Sequence, residues 1–302
     1  MNNTQVTVFQ VSAFTKNGRG GNLAGVVLNA ASLSNQQKLS IAQSVGYSET
    51  AFVSPDDNAD FEVSFFTTTE EVDFCGHATL AAFSVLSQQG IIGAGDYVQR
   101  TKAGLLAVAI NDLGQITMDQ ALPKKLGTVG YQEVAAVLGI DEALISETNL
   151  PLEMMSTGLP DLIVPIRTGY LDTIQPNDAM LAEFSNQHNL VGVHVFELSS
   201  GDEGYSASCR NFAPAFGIPE ESATGSASGV LACYLAEHVS GRLGKMDEPG
   251  RQVHYVFEQG RAMKCSSEIQ AEVECQGGEI SKVRVGGHAK LIGTKVYEVP
   301  QT

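Results

Sequence analysis

Two stretches of this chain, "ATLAAFSVL" (residues 78–86) and "GVLACYLA" (residues 229–236), carry apolar or small residues on every side of a helix. A surface helix shows one apolar stripe and one polar face, whereas a helix apolar all round has to be surrounded. Neither stretch approaches the roughly 20 residues that span a bilayer, so both read as core helices. Two such helices, about half a chain apart, call for two cores. A length of 302 residues matches that count, at roughly 150 residues per domain.

The surrounding sequence supplies material to wrap each helix. "QVTVFQVSAF" alternates apolar and polar residues and reads as a strand. "GRGGNLAGVVLN" is a glycine-rich turn feeding a second strand, and "ETAFVS" with "DFEVSFFT" reads as a strand pair. "SLSNQQKLSIAQSVG" has a serine cap, helical spacing and a terminal Gly46. In the second half, "GLPDLIVPI" and "GVHVFELS" read as strands flanking the helix "NDAMLAEFSNQHN", and more strands close the chain. The expected division is an N-terminal lobe over 1–122, to which the strand 286–302 returns, and a C-terminal lobe over 123–285. "FFTTTEEVDFCGHATLAAFSVL" and "NFAPAFGIPEESATGSASGVLACYL" share a layout: aromatic strand end, acidic loop, small residues around a glycine, long apolar helix. That echo suggests two lobes of one design.

The mouths of the two helices hold the candidate chemistry. A helix N-terminus presents unpaired N–H groups and about half a positive charge, which a carboxylate or other anion satisfies. Cys75-Gly76 and Thr224-Gly225 precede the apolar runs, and residues this small let a ligand reach the backbone. The plain alternative is that Ser222, Thr224 and Ser226 only cap a helix and that His77 is a satisfied polar residue. Two matched mouths carrying titratable side chains favour a site.

Composition narrows the partners. Lys and Arg number 18 against 34 Asp and Glu, a formal charge of −16, which repels nucleic acid and anionic membranes. Five cysteines without close pairing, and an N-terminus lacking a basic segment followed by an apolar one, point to a reduced, cytoplasmic protein. "GRGGNLAG" lacks the third glycine of a dinucleotide loop and no G-K-[ST] follows, so neither a nucleotide nor a phosphate loop is indicated. The histidines His77, His188, His194, His238, His254 and His288 form no metal-ligand motif in sequence. Metal binding therefore has little support in the sequence.

At the helix mouths the sequence resembles the PhzF-like isomerase family, of the diaminopimelate-epimerase-like fold. The resemblance rests on "QVSAFT", "GRGGNLAGVVL", "SVGYSETAFV", "FTTTEEVDFCGHATLAAF", "NFAPAFGIPEESATGSASG", "EQGRAMKCSSEI" and "VRVGGHAKLI", in order over nearly the whole chain. It implies an α+β protein of two pseudo-symmetric lobes, each a curved, mostly antiparallel sheet or barrel around a central helix, with an active site between them. It further implies a cofactor-free isomerase, assembled as a homodimer, that moves a proton on a small carboxylate-bearing substrate. Glu49 matches the family's general acid/base, His77 and Glu221 further polar active-site positions, and Ser226 a substrate-binding one. Gly76, Thr224, Gly225, Asn22 and Cys75 complete the expected substrate contacts. Where the family has Asp-Pro this chain has Glu221-Ser222, and Leu23 and Thr68 stand at two positions the family gives to proline.

The residues themselves leave alternatives. For proton abstraction from carbon, Glu49 is expected to be partly desolvated with a raised pKa. Cys75 sits where a helix dipole favours a thiolate, the arrangement for an epimerase or dehydratase. Its counterpart at the second mouth is Thr224, whose hydroxyl is too weak an acid to complete a two-thiol racemase. A non-catalytic binding protein that keeps the fold is the rival from outside enzymology.

Overall fold

The computed structural model describes residues 4–199, 201, 204–239 and 251–299. The chain divides into two compact units, one formed by residues 1–119 with 286–302 and the other by residues 120–285.

In the first unit, strand Thr4–Ala13 pairs antiparallel with both Ala289–Val299 and Asn22–Val27. Asn22–Val27 pairs parallel with Glu49–Ser54, which pairs antiparallel with Phe61–Phe66. Phe61–Phe66 continues parallel to Gly95–Thr101, and Gly104–Ile110 and Ile116–Asp119 follow antiparallel. Helix Gly76–Gln88 packs against this sheet, and every residue from His77 to Leu86 is buried. Phe83 is fully buried, with the Phe61 ring edge-on at 6.1 Å. Burying a side chain of this size contributes about 2–3 kcal/mol, so the apolar run finds the all-round cover its composition demands. Helix Asn35–Val45 lies on the other face of the sheet over Val8, Val27 and Phe52. Ser34 caps it through a reciprocal pair with Gln37, and Gly46 ends it in the left-handed conformation (φ +73°).

The second unit repeats the scheme. Strands Lys124–Thr128, Glu153–Ser156, Pro160–Pro165, Gly192–Leu198, Ala207–Ala213 and Ile218–Glu221 lie side by side, only Pro160–Pro165 and Gly192–Leu198 being parallel neighbours. Arg251–Gln259 joins parallel to Ala207–Ala213 and pairs antiparallel with Ser267–Gln276. Helix Gly225–His238 is buried from Ala227 to Ala236 and packs on the inner face. The outer face carries Leu162, Val164, Val193, Val195 and Phe212 against helices Tyr131–Leu138 and Asp178–His188. Among the described residues no helix is long and apolar enough to cross a membrane.

Candidate functional site

Neither central helix has a side-chain cap. Cys75 and Thr224 occupy the N-cap positions in extended conformation, and neither side chain makes a capping hydrogen bond. The Ala78 amide approaches the Cys75 sulfur and favours its anion only slightly. The capping role open to Thr224 from sequence is therefore not what its hydroxyl does. Gly76 is half-buried, and a β-carbon there would meet only the Met118 sulfur, at an ordinary 3.6 Å. Nothing in the packing of the first unit requires glycine at that mouth.

In the first unit the sheet register gathers the polar residues at this helix mouth. Asn22 and Glu49 begin neighbouring parallel strands, with Ala24 opposite Glu49. His77 stands in the first turn of the central helix and is 6% exposed. Its Nε2 lies 3.1 Å from Glu49 Oε2 and 3.4 Å from Ser48 Oγ. Its Nδ1 lies 3.4 Å from Cys75 Sγ and 3.5 Å from Asn22 Nδ2. Glu49 Oε2 is buried and meets no donor in hydrogen-bond alignment, so its contact with His77 is an ion pair.

The electrostatics correct one expectation. Burial pushes the Glu49 carboxyl up, but the His77 charge, aided by the polar groups of His77, Ser48 and Cys75 beside it, outweighs it and holds the group below its ordinary value. Burial opposes charge on His77, yet Cys75 and Glu49 together hold the ring well above the usual imidazole value. Burial first and the Glu49 charge second push the Cys75 thiol up. Glu49 is thus held toward its anion and His77 toward its cation, while burial holds Cys75 toward its thiol. The raised carboxyl pKa expected for Glu49 fails because its neighbour is a cation, which the sequence spacing does not reveal. A thiolate at Cys75 is disfavoured for the converse reason, since the helix dipole is outweighed by burial and an adjacent carboxylate.

The pairing has a measurable consequence. A carboxyl lowered from 4.5 contributes stability above that value and loses it in acid, whereas an imidazole raised from 6.5 contributes below that value and loses it in alkali. The stability lost on Glu49→Gln should therefore be greatest between about pH 4.5 and 6.5 and shrink on both sides. Urea unfolding of both proteins across that range checks it.

In the second unit Glu221 closes strand Ile218–Glu221 opposite Asn211. The Thr224 hydroxyl donates to Glu221 Oε2 at 2.5 Å. Gln259 ties the loop together: its Oε1 accepts from the Thr224 amide (3.1 Å), and its Nε2 donates to the Glu221 carbonyl (2.7 Å) and to Thr224 Oγ1 (3.0 Å). Gly225 is buried. Ser226 is half-buried, its carbonyl accepting from Thr157 Oγ1 at 3.4 Å.

Glu49, Cys75, His77 and Asn22 thus come together in the first unit, as Glu221, Thr224, Gly225 and Ser226 do in the second. Sequence reasoning missed Ser48, Gln259, and the buried Asp161 and His194 that line the second unit's inner face. The last two had a readable signal, a charged or titratable residue inside the apolar strands "PDLIVP" and "GVHVFEL". Gln259 had none.

Glu49, Cys75 and His77 also place three potential metal ligands within 4.8 Å of one another, a grouping invisible to sequence motifs because Glu49 comes from a separate strand. A second group, Glu153, Glu237 and His238, is bridged by the ammonium of Lys125.

Comparison with known proteins places the chain. The sequence matches the Phenazine biosynthesis-like protein family (PhzC-PhzF) over residues 11–294. The chain belongs to that family. An uncharacterized isomerase of Deinococcus radiodurans is 34% identical, the match covering 93% of this chain and 91% of that protein. The uncharacterized isomerase YfhB of Bacillus subtilis is 30% identical, with 98% and 99% covered. The crystal structure of a Bacillus anthracis phenazine biosynthesis protein of the PhzF family superposes with a TM-score of 0.87 at 27% identity, covering 97% of this chain and 99% of that one. A hydroxyproline epimerase from Agrobacterium vitis shares the fold, with a TM-score of 0.63 at 10% identity. The architecture is α+β and diaminopimelate-epimerase-like.

Proposed function

We propose that this PhzF-family protein is an isomerase that shifts a proton between carbons of a small carboxylate-bearing substrate without a cofactor, Glu49 carrying the proton. The observation that carries this reading is the buried Glu49–His77 ion pair beside an uncapped helix mouth. The relatives' names, uncharacterized isomerases, agree with the reaction class.

The substrate carboxylate binds to helix-mouth amides, where backbone donors and the dipole favour an anion. Glu49 removes a proton from carbon, and the resulting enolate-like charge is stabilised by the His77 imidazolium. Glu49 then returns the proton at another carbon. Because His77 holds Glu49 below its ordinary pKa, the base is weak at rest. It strengthens as His77 turns its charge toward the substrate. At the helix mouth of the second unit, Glu221, Thr224 and Ser226 are further substrate contacts, Glu221 accepting from a hydroxyl or amine.

Incubation with a panel of small unsaturated and hydroxy carboxylic acids in deuterated water tests the reaction class. At least one acid should take up deuterium at a carbon and give an isomeric product. Binding of these acids with no exchange at any carbon would leave a non-catalytic binding protein. Gly76→Ala should fold normally, since its β-carbon meets nothing closer than 3.6 Å, yet bind such an acid at least tenfold more weakly, as measured by calorimetry.

The Cys75-dependent epimerase reading predicts the opposite of what burial of the thiol implies. Cys75→Ser should keep exchange within about tenfold of the parent, well short of the 10²–10⁴ typical of a lost acid/base group. Iodoacetamide should modify Cys75 slowly at pH 7.5, as read by mass spectrometry.

A further inference from the structure

Glu49, His77 and Cys75 form a grouping that proton transfer uses only in part. A carboxylate oxygen, an imidazole nitrogen and a sulfur lie within 4.8 Å of one another. His77 Nε2 is 3.1 Å from Glu49 Oε2 and 4.0 Å from Cys75 Sγ. Zinc bonds run about 2.0 Å to nitrogen, about 2.0–2.2 Å to carboxylate oxygen and about 2.3 Å to thiolate sulfur. At a tetrahedral angle those lengths set a nitrogen–oxygen edge of roughly 3.3–3.5 Å and a nitrogen–sulfur edge of roughly 3.5–3.6 Å. Both measured edges fall within about half an ångström of these values.

Other features of the mouth suit an ion. Glu49 Oε2 is buried and meets no aligned donor, so one lone pair is left for a metal. Among the described residues no lysine or arginine pairs with Glu49, whereas the Lys125 ammonium lies 3.3 Å from Glu153 and 2.6 Å from Glu237 in the other three-ligand group. Only the first group contains a thiol, the ligand that selects zinc over the hard ions magnesium and calcium. The helix beside it carries no side-chain cap and Gly76 is half-buried, which gives an ion an approach.

The next shell is also in place. With Nε2 on the metal, His77 Nδ1 keeps its proton and faces the Asn22 side-chain amide at 3.5 Å. A half-turn of that amide presents its oxygen to the ring N–H, the kind of outer partner that orients a metal-bound imidazole.

Charges and protons balance. A triad of carboxylate, imidazolium and thiol is neutral, and zinc displaces two of its protons, one from His77 Nε2 and one from Cys75 Sγ. Bonds form from the ion to oxygen, nitrogen and sulfur, and both protons go to solvent. Carboxylate, thiolate, neutral imidazole and Zn²⁺ again sum to zero, so the buried mouth takes up the ion with no change in net charge.

We propose that Glu49, His77 and Cys75 form an inhibitory zinc site, in which a Zn²⁺ ion held by Glu49 Oε2, His77 Nε2 and Cys75 Sγ occupies the proton carrier and stops exchange. The binding stands on geometry alone; the inhibition rests on reading Glu49 as the base.

Cobalt(II), a spectroscopic stand-in for zinc, tests the binding without substrate. The parent, Cys75→Ser and Cys265→Ser, kept reduced with a phosphine, are titrated with Co²⁺ and then Zn²⁺. One equivalent of Co²⁺ should give a sulfur-to-cobalt charge-transfer band in the parent and in Cys265→Ser, and Zn²⁺ should bleach it. Cys75→Ser should lack the band and bind zinc more than about 100-fold more weakly, beyond the cost of losing an outer partner. Calorimetry in two buffers should count about two protons released per zinc near pH 7. A parent without the band, or a band that survives Cys75→Ser, overturns the proposal. Should Cys75→Ser fail to fold, alkylation of the parent decides: one equivalent of zinc should protect Cys75 and not Cys265, and an unprotected Cys75 overturns the proposal.

With an acid from the panel that exchanges, zinc should stop exchange at the concentration that fills the site, and a chelator should restore it. Exchange that requires zinc overturns the proposal. Exchange that continues with the site filled overturns the inhibition and, with it, Glu49 as the base. A parent that exchanges but takes up no cobalt loses the zinc site and keeps the isomerase reading.

Discussion

Glu49→Gln should abolish deuterium exchange into any acid that the parent protein isomerises, by a factor of about 10²–10⁴, while leaving affinity for that acid within a few-fold. The substitution keeps the side chain's length and its place at the head of strand Glu49–Ser54. It removes the charge that pairs with His77 at 3.1 Å and the carboxylate proposed above to take a proton from carbon. Because the Glu49 charge helps hold His77 above the usual imidazole value, the same substitution should lower the His77 midpoint, followed by the ring proton signals. Because that charge also raises the Cys75 thiol, alkylation of Cys75 should become faster. The His77 and Cys75 readouts are coupled, since each group shifts the other, whereas exchange is read separately. Exchange surviving within tenfold of the parent would remove Glu49 from the role of base even if His77 and Cys75 respond as described.

The two central helices were legible because composition alone required their burial, and residues 77–86 and 227–236 are indeed buried. The capped helix ending at Gly46 was equally readable, since its signals are local. The grouping of Glu49 with His77 was carried in sequence by the family resemblance alone, because it depends on a parallel register between strands that start 27 residues apart. The charge state at that mouth was not legible at all. Whether a carboxyl is raised or lowered turns on a neighbour 3 Å away, and desolvation and an adjacent cation push in opposite directions. Asp161 escaped notice for a different reason. A single acidic residue in an apolar strand also reads as an edge or a break in pattern, and only the structure shows it buried, at 1% exposure.

Gly260→Ala should be the most damaging small substitution near the second helix mouth, costing roughly 2–4 kcal/mol. Gly260 follows strand Arg251–Gln259 in the left-handed region, φ +84°, where a side chain is strained at any packing density. A β-carbon would also lie 2.5 Å from the Cys265 carbonyl oxygen, 2.8 Å from that of Ser222 and 3.2 Å from Ser222 Cα. These are backbone atoms, so relief requires the chain itself to move. The Gly260 carbonyl accepts from the Met263 and Cys265 amides, which fixes the turn on one side. On the other side the contact falls on Ser222, next to Glu221 and Thr224, whose places depend on the neighbouring Gln259. Stability and function should therefore fail together: a lower urea midpoint, and a weaker affinity for any exchanging acid even at temperatures where the variant is fully folded. Gly46→Ala provides the contrast, because it shares a positive φ but meets nothing within 4 Å. It should lose only the backbone-strain part, about 1–2 kcal/mol, and leave affinity unchanged. If Gly260→Ala behaves no worse than Gly46→Ala, the Gly260–Ser222 contact does not set the position of Glu221.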